Sequence, residues 1–196
     1  MKQILEHQFQ TKAHSLTNLF EGVTKMSTFM RRLETESQVD PLRYDPDKYK
    51  GDAFEFFVEL FLMLHPVDNR IGVTDYQPIQ MNDNGVDGIG INIQGHKCVV
   101  QIKYRGNTQG LLTANQDHLS NMFSDGMLAH GVVATTGTAT DEYKHFVFTT
   151  AKSLHFYTDQ EMFKSKVKCI GYDNFRQLLD NNIPFWNKAM EIVKTL

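Results

Sequence analysis

The chain is poor in the residues that announce many functional classes. Only two of its 196 residues are cysteine, Cys98 and Cys169, and they stand too far apart for paired ligand spacing. That disfavours a zinc ribbon or a redox dithiol, and fits the reducing interior of a cytoplasmic protein. The eight histidines contain no HExxH or HxxEH spacing, which excludes the zinc-protease helices. No apolar run is long enough to span a bilayer, since the longest, 54–64, is broken by Glu55 and Glu59. The opening MKQILEHQFQ lacks the apolar stretch of a secretion signal, so an intracellular protein with no membrane partner is expected. Neither sign of charge is in large excess: 20 Lys+Arg face 23 Asp+Glu, a net charge of -3. Bulk charge therefore gives no sign of a polyanionic partner, and only local clusters could supply one. The glycine-rich run 85–90 precedes a strand pattern and opens no helix, which disfavours a dinucleotide or phosphate-loop site.

What is present is hydrophobic patterning of two periods. Between residues 3 and 36, apolar side chains recur at spacings of three and four without proline, which predicts two helices. Residues 37–50, with Pro41, Pro46 and several aspartates, read as a connector. Asp52 to His65 reads as a helix ended by Pro66. It is apolar around most of its circumference, with Asp52, Glu55 and Glu59 on one narrow stripe that must face solvent or something positive.

From Gly72 onward the pattern changes. Residues 73–80 suit an extended segment, and 88–94 and 97–104, rich in Ile and Val, predict a hairpin around Gly95-His96. Beyond it the spacing predicts a helix over 111–123, a buried strand over 130–135, a helix over 141–152 that could also be a strand at 147–150, and a strand over 154–157. A helix near 159–163, a small strand at 168–171 and helices over 174–179 and 185–196 complete the chain. This order predicts an α/β architecture, a mixed sheet between helices. The expected division is a helical extension over 1–40, a core over 41–171 and a C-terminal helical segment over 172–196.

The stretch Asn84-Gly85-Val86-Asp87-Gly88, followed across the hairpin by Val99-Val100-Gln101-Ile102-Lys103, carries the chemistry. Side chains alternate along a strand, so Gln101 and Lys103 share one face and Val100 and Ile102 the other. Two polar groups among apolar neighbours are costly to bury unless something pairs with them. Asp87 is the obvious partner. A two-residue turn would put Asp87 on the wrong face, whereas a three-residue loop, Gln94-Gly95-His96, or an equivalent bulge would place it opposite Lys103. The plainer alternatives are a turn aspartate capping its own backbone and an edge-strand polar pair.

Phe54-Glu55 on a helix, Gly85-Val86-Asp87, Gln101-Ile102-Lys103-Tyr104 and Gly131-Val132-Val133-Ala134-Thr135-Thr136 together resemble the Mrr-type branch of the PD-(D/E)xK nucleases, over about Gly51 to Met162. The resemblance implies a restriction-endonuclease-like core with extra terminal helices. It also implies that Asp87, with Gln101 two positions before Lys103, lines a magnesium site. Gln101 stands where Glu is commoner, a variant known in that branch.

The chemistry suits these residue types. Phosphodiester hydrolysis needs a water turned toward hydroxide and a stabilised leaving oxygen, and Mg2+, with Mn2+ as a substitute, supplies both through one or two carboxylates, waters and phosphate oxygens. Asp87 is the first ligand, and Gln101 offers only a neutral carbonyl. A second negative charge is therefore expected from Glu55, which the resemblance favours, or from Glu59 one turn later. Lys103 would orient the water and offset charge developing on phosphate. The expected function is a metal-dependent endodeoxyribonuclease acting on DNA. The alternatives are a nucleic-acid-binding module on a nuclease fold without turnover, and an interaction protein working through its N-terminal helices. Phe9, Phe20, Phe29, Phe185 and Trp186 in the terminal segments add the expectation of a homodimer or higher assembly, with the N-terminal helices in the interface.

Overall fold

Helical spacing and a few capping side chains build one half of the protein, and short runs of buried apolar residues in extended conformation build the other. In the computed structural model, residues 16–42, 45–65, 70–79, 85–113, 119, 129–132, 143–156 and 164–196 are described. The chain divides into a helical unit, made of the chain up to Leu64 together with Asp173–Leu196, and a sheet unit, His65–Tyr172. Among the described residues no helix is long and apolar enough to cross a membrane.

The helical unit contains α1 (Leu16–Phe20), α2 (Met26–Ser37), α3 (Pro46–Leu64), nearly all of α4 (Tyr172–Leu179) and α5 (Ile183–Val193). Helix α3 starts earlier than its pattern predicts. Asp45 Oδ1 accepts the Lys48 N–H at 2.8 Å, and Pro46 occupies the first helical position, where no N–H is needed. The proline read as part of a connector thus opens the helix.

The interior of this unit is a cluster of rings. Phe57 meets Phe29 at 4.5 Å and also contacts the rings of Phe54, Phe61, Phe175, Phe185 and Trp186. Phe20, Phe29, Phe185 and Trp186 are all buried here, so the unit's own core uses them; Phe9 lies outside the described residues. The Trp186 indole N–H donates to the Leu179 carbonyl at 2.8 Å, which satisfies the one polar atom the ring brings inside.

Distant residues finish the helix ends. Lys25 at the start of α2 makes no side-chain cap bond, and Asp180 Oδ1 accepts the Met26 N–H instead, at 2.8 Å. Asn182 caps α5 through the Phe185 N–H. The early basic residues serve the same unit: Arg32 donates to the Asn18 and Glu21 carbonyls, and Lys48 pairs with Asp52 at 2.6 Å. The acidic stripe of α3 is not a uniformly solvated edge, because Glu59 is only 5% exposed.

The sheet unit holds β1 (Val73–Pro78), β2 (Gly88–Asn92), β3 (Lys97–Lys103), β4 (Leu111–Thr113), β5 (His145–Thr149), β6 (Ser153–His155) and β7 (Val167–Ile170). The main sheet runs β1-β2-β3-β5-β7, antiparallel through β3 and parallel from β3 to β7, so it is a mixed sheet in a mixed α/β protein. Strands β4 and β6 form a separate parallel pair. Strand β3 is the junction of the two pairing modes and lies inside the sheet. One core cluster gathers Val86, Val99, Leu112, Leu119, Val132, Val147, Ala151 and Val167.

Three expectations are corrected. Leu111–Thr113, read as the start of a helix, forms β4, and residues 114–118 and 120–123 lie outside the described ones. His145–Thr149, read first as helix, is the strand β5. All five of its residues are buried, and such a run carries no alternation that separates strand from helix. Of the strand expected over 130–135, residues 130–132 belong to no strand, and the rest, like 159–163, lie outside the described residues.

Candidate functional site

The hairpin joining β2 to β3 decides how the candidate residues face one another. Its loop has three residues, as parity requires, but they are Ile93-Gln94-Gly95 rather than Gln94-Gly95-His96. The Asn92 N–H reaches the His96 carbonyl at 2.8 Å, and Gly95 takes φ 82°, the left-handed position such a loop needs. Asn92 Oδ1 accepts the Gln94 and His96 N–H groups, which pulls the loop one residue forward. Gly88 therefore pairs with Val100, and Asp87 falls at the level of Gln101 rather than Lys103.

There the ladder bulges. The Asp87 N–H donates to the Val100 carbonyl at 2.9 Å, although Gly88 already opposes Val100, the two-against-one pattern that re-aims a side chain. The Asp87 carboxylate consequently accepts the Ile102 N–H at 2.5 Å. It touches β3 midway between Gln101 and Lys103.

Neither plainer alternative describes these residues. Asp87 bonds the neighbouring strand, and Gln101 and Lys103 lie on an interior strand. Gln101 is fully buried between Val99 and Lys103 on the face that carries Val147, and among the described residues neither its Oε1 nor its Nε2 has a hydrogen-bond partner. Lys103 is half-buried at the carboxyl end of β3, and among the described residues its ammonium forms no ion pair.

The other side of β3 is fixed by β5. Thr149 Oγ1 donates to the Lys103 carbonyl at 2.8 Å. Thr150 Oγ1 donates to the Arg105 carbonyl at 2.7 Å and accepts the Arg105 N–H at 2.6 Å. Arg105 is half-buried, with its guanidinium on the Tyr104 carbonyl at 2.7 Å; burial lowers its pKa. Thr149 and Thr150 were missed as site residues because 141–152 read as helix. The available signal was a pair of threonines directly after a buried apolar run.

Glu55 and Glu59 belong to α3 in the helical unit, the first half-buried and the second buried. The oxygen donors that share one unit are Asp87 and Gln101. Among the described residues no group of three or more His, Cys, Asp or Glu side chains could hold a metal; Asp87 and Gln101 offer one carboxylate and one neutral oxygen. That donor set does not suit zinc. It suits a hard cation that keeps several waters, and the buried Gln101 Oε1 is an oxygen with no other use among the described residues.

No family model matches the chain, and no curated protein or solved structure matches it either.

Proposed function

We propose that the sheet unit is the catalytic part of a Mg2+-dependent endodeoxyribonuclease with a restriction-endonuclease-like core. The observation that carries the reading is the Asp87 carboxylate on the Ile102 N–H, which brings an acid, a buried amide and a lysine to three consecutive residues of one interior strand. Two further features support it. Lys103 lies where the parallel strands β3 and β5 end, the side on which open α/β sheets take ligands. The Gln101 amide is buried, and among the described residues no hydrogen bond offsets the cost.

Asp87 and Gln101 would hold the metal, which when bound supplies Lewis acidity and a more acidic water. The chain's own part is positional and electrostatic. The bulge and the Ile102 N–H hold the Asp87 carboxylate aimed. Lys103, its backbone tied by Thr149, orients the attacking water and offsets charge gathering on the phosphate.

A second reading, a nucleic-acid-binding module without turnover, is favoured by the neutral amide at 101. Plasmid DNA incubated with the full chain and Mg2+ separates the two. Cleavage that falls by about 10^2 to 10^4-fold in Asp87→Ala and Lys103→Ala supports the nuclease, by the usual worth of a positioned acid–base group. Binding without cleavage supports the module, and unchanged cleavage by either variant removes these residues from the site. A two-chain assembly, suited to cutting both strands, remains part of the proposal and is checked by light scattering.

A further inference from the structure

Two bulges lie on neighbouring strands, and a tyrosine joins them. In β1 the register with β2 shifts between Thr74↔Ile91 and Gln77↔Ile89, so Asp75 and Tyr76 together face Gly90. Asp75 takes the left-handed conformation at φ 49°, which aspartate tolerates better than most residues but which still costs energy. The ring of Tyr76 lies over Gly88: a Cβ at residue 88 would fall 2.6 Å from the ring's Cζ and closer still to Cε2. Only glycine leaves room for the ring there. The Tyr76 hydroxyl in turn reaches the Asp87 carbonyl at 3.3 Å, an oxygen that also accepts the Ile79 N–H at 3.0 Å.

We propose that Tyr76 is a positioning residue for Asp87, clamping the Asp87-Gly88 bulge so that the carboxylate stays on the Ile102 N–H. The functional half of this inference rests on the reading of Asp87 as a metal ligand; the structural half does not. Asp87 is held by its N–H on Val100, by its carbonyl under Ile79 and Tyr76, and by its carboxylate on Ile102. The Tyr76 ring is the contact that blocks the Gly88 backbone from moving out of the bulge. A clamp of this kind sets how well a ligand is presented and leaves the later chemistry alone.

The test reads the clamp and the activity separately. In the 15N-labelled full chain, the Ile102 amide proton is expected far downfield, because its acceptor is a carboxylate, and to move upfield in Asp87→Asn. Gly88→Ala displaces the ring without altering the tyrosine, and Tyr76→Ala removes it. Both should move the Ile102 amide toward the Asp87→Asn position and speed its hydrogen exchange, with Tyr76→Phe intermediate. In the same variants the Mg2+ needed for half-maximal cleavage should rise about tenfold, in the range for loss of a ligand's supporting contact, with the rate at saturating Mg2+ kept.

An Ile102 amide unmoved in folded Gly88→Ala and Tyr76→Phe overturns the clamp, even if Tyr76→Ala fails to fold. A moved amide with an unchanged Mg2+ requirement in an active protein overturns the positioning role. A moved amide in a protein that cuts no DNA supports the clamp and counts against the nuclease reading alone.

Discussion

In the helical unit the largest buried side chains are rings stacked on rings around Phe57, and the indole N–H of Trp186 has its acceptor. In the sheet unit one core cluster is aliphatic, beside the buried rings of Phe146 and Phe148, and polar groups are set into the interior: Gln101, His145, Thr149 and Asn92 are all buried. The first arrangement maximises apolar area removed from water and is a scaffold. The second accepts desolvation costs that apolar residues of the same size would avoid. Costs of that kind gather where a protein needs a group held in a fixed place, and the helical unit carries fewer of them, at Glu36, Ser37 and Glu59.

The largest expected effect falls on the scaffold. Phe57→Ala empties the centre of the ring cluster and should cost about 3 to 5 kcal/mol, read as a lower midpoint in urea. A loss under about 1 kcal/mol would mean that the rings collapse into the gap and do not form a single core. On the sheet side, burial together with the Lys166 and Lys144 charges pushes the His145 imidazole down to about 4. The unfolded chain then binds the extra proton first, so this contribution to stability is complete above pH 6.5 and is lost as the pH falls toward 4. The loss amounts to about 3 kcal/mol over that window. His145→Gln should flatten this acid slope, and an unchanged slope would place the pH dependence elsewhere.

Gln101→Leu sharpens the comparison further. Replacing an amide that has no partner among the described residues by an apolar side chain of similar size should raise stability by about 1 kcal/mol while abolishing cleavage. A marked destabilisation would show that the amide is satisfied and has a structural use. The smallest effect belongs to the helix ends. Asp180→Ala removes the acceptor of the Met26 N–H and should cost about 1 kcal/mol with cleavage unchanged.

Much of the site could be read along the chain. The face shared by Gln101 and Lys103 follows from strand alternation, and an odd-numbered loop follows from the need to bring Asp87 to that face. The loop's placement could not be read, because Ile93 or His96 could complete it equally well and the choice fell to the Asn92 side chain. Tyr76 gave no signal either, since its role depends on a register shift in β1 and on the bonding of Asp87 to β3.

The sequence by itself determined the local matters: that α3 is a buried helix, that β2 and β3 form a hairpin, and that a carboxylate, an amide and a lysine sit within reach of one another. These follow from periodicity and side-chain chemistry, which act between residues close in the chain. Only the tertiary structure decided that 145–149 is a strand, that β3 lies inside the sheet, and that Thr149 and Thr150 tie its end. A fully buried apolar run satisfies a helix and a strand equally, and the partner that settles it, Val99 to Lys103, lies more than forty residues away.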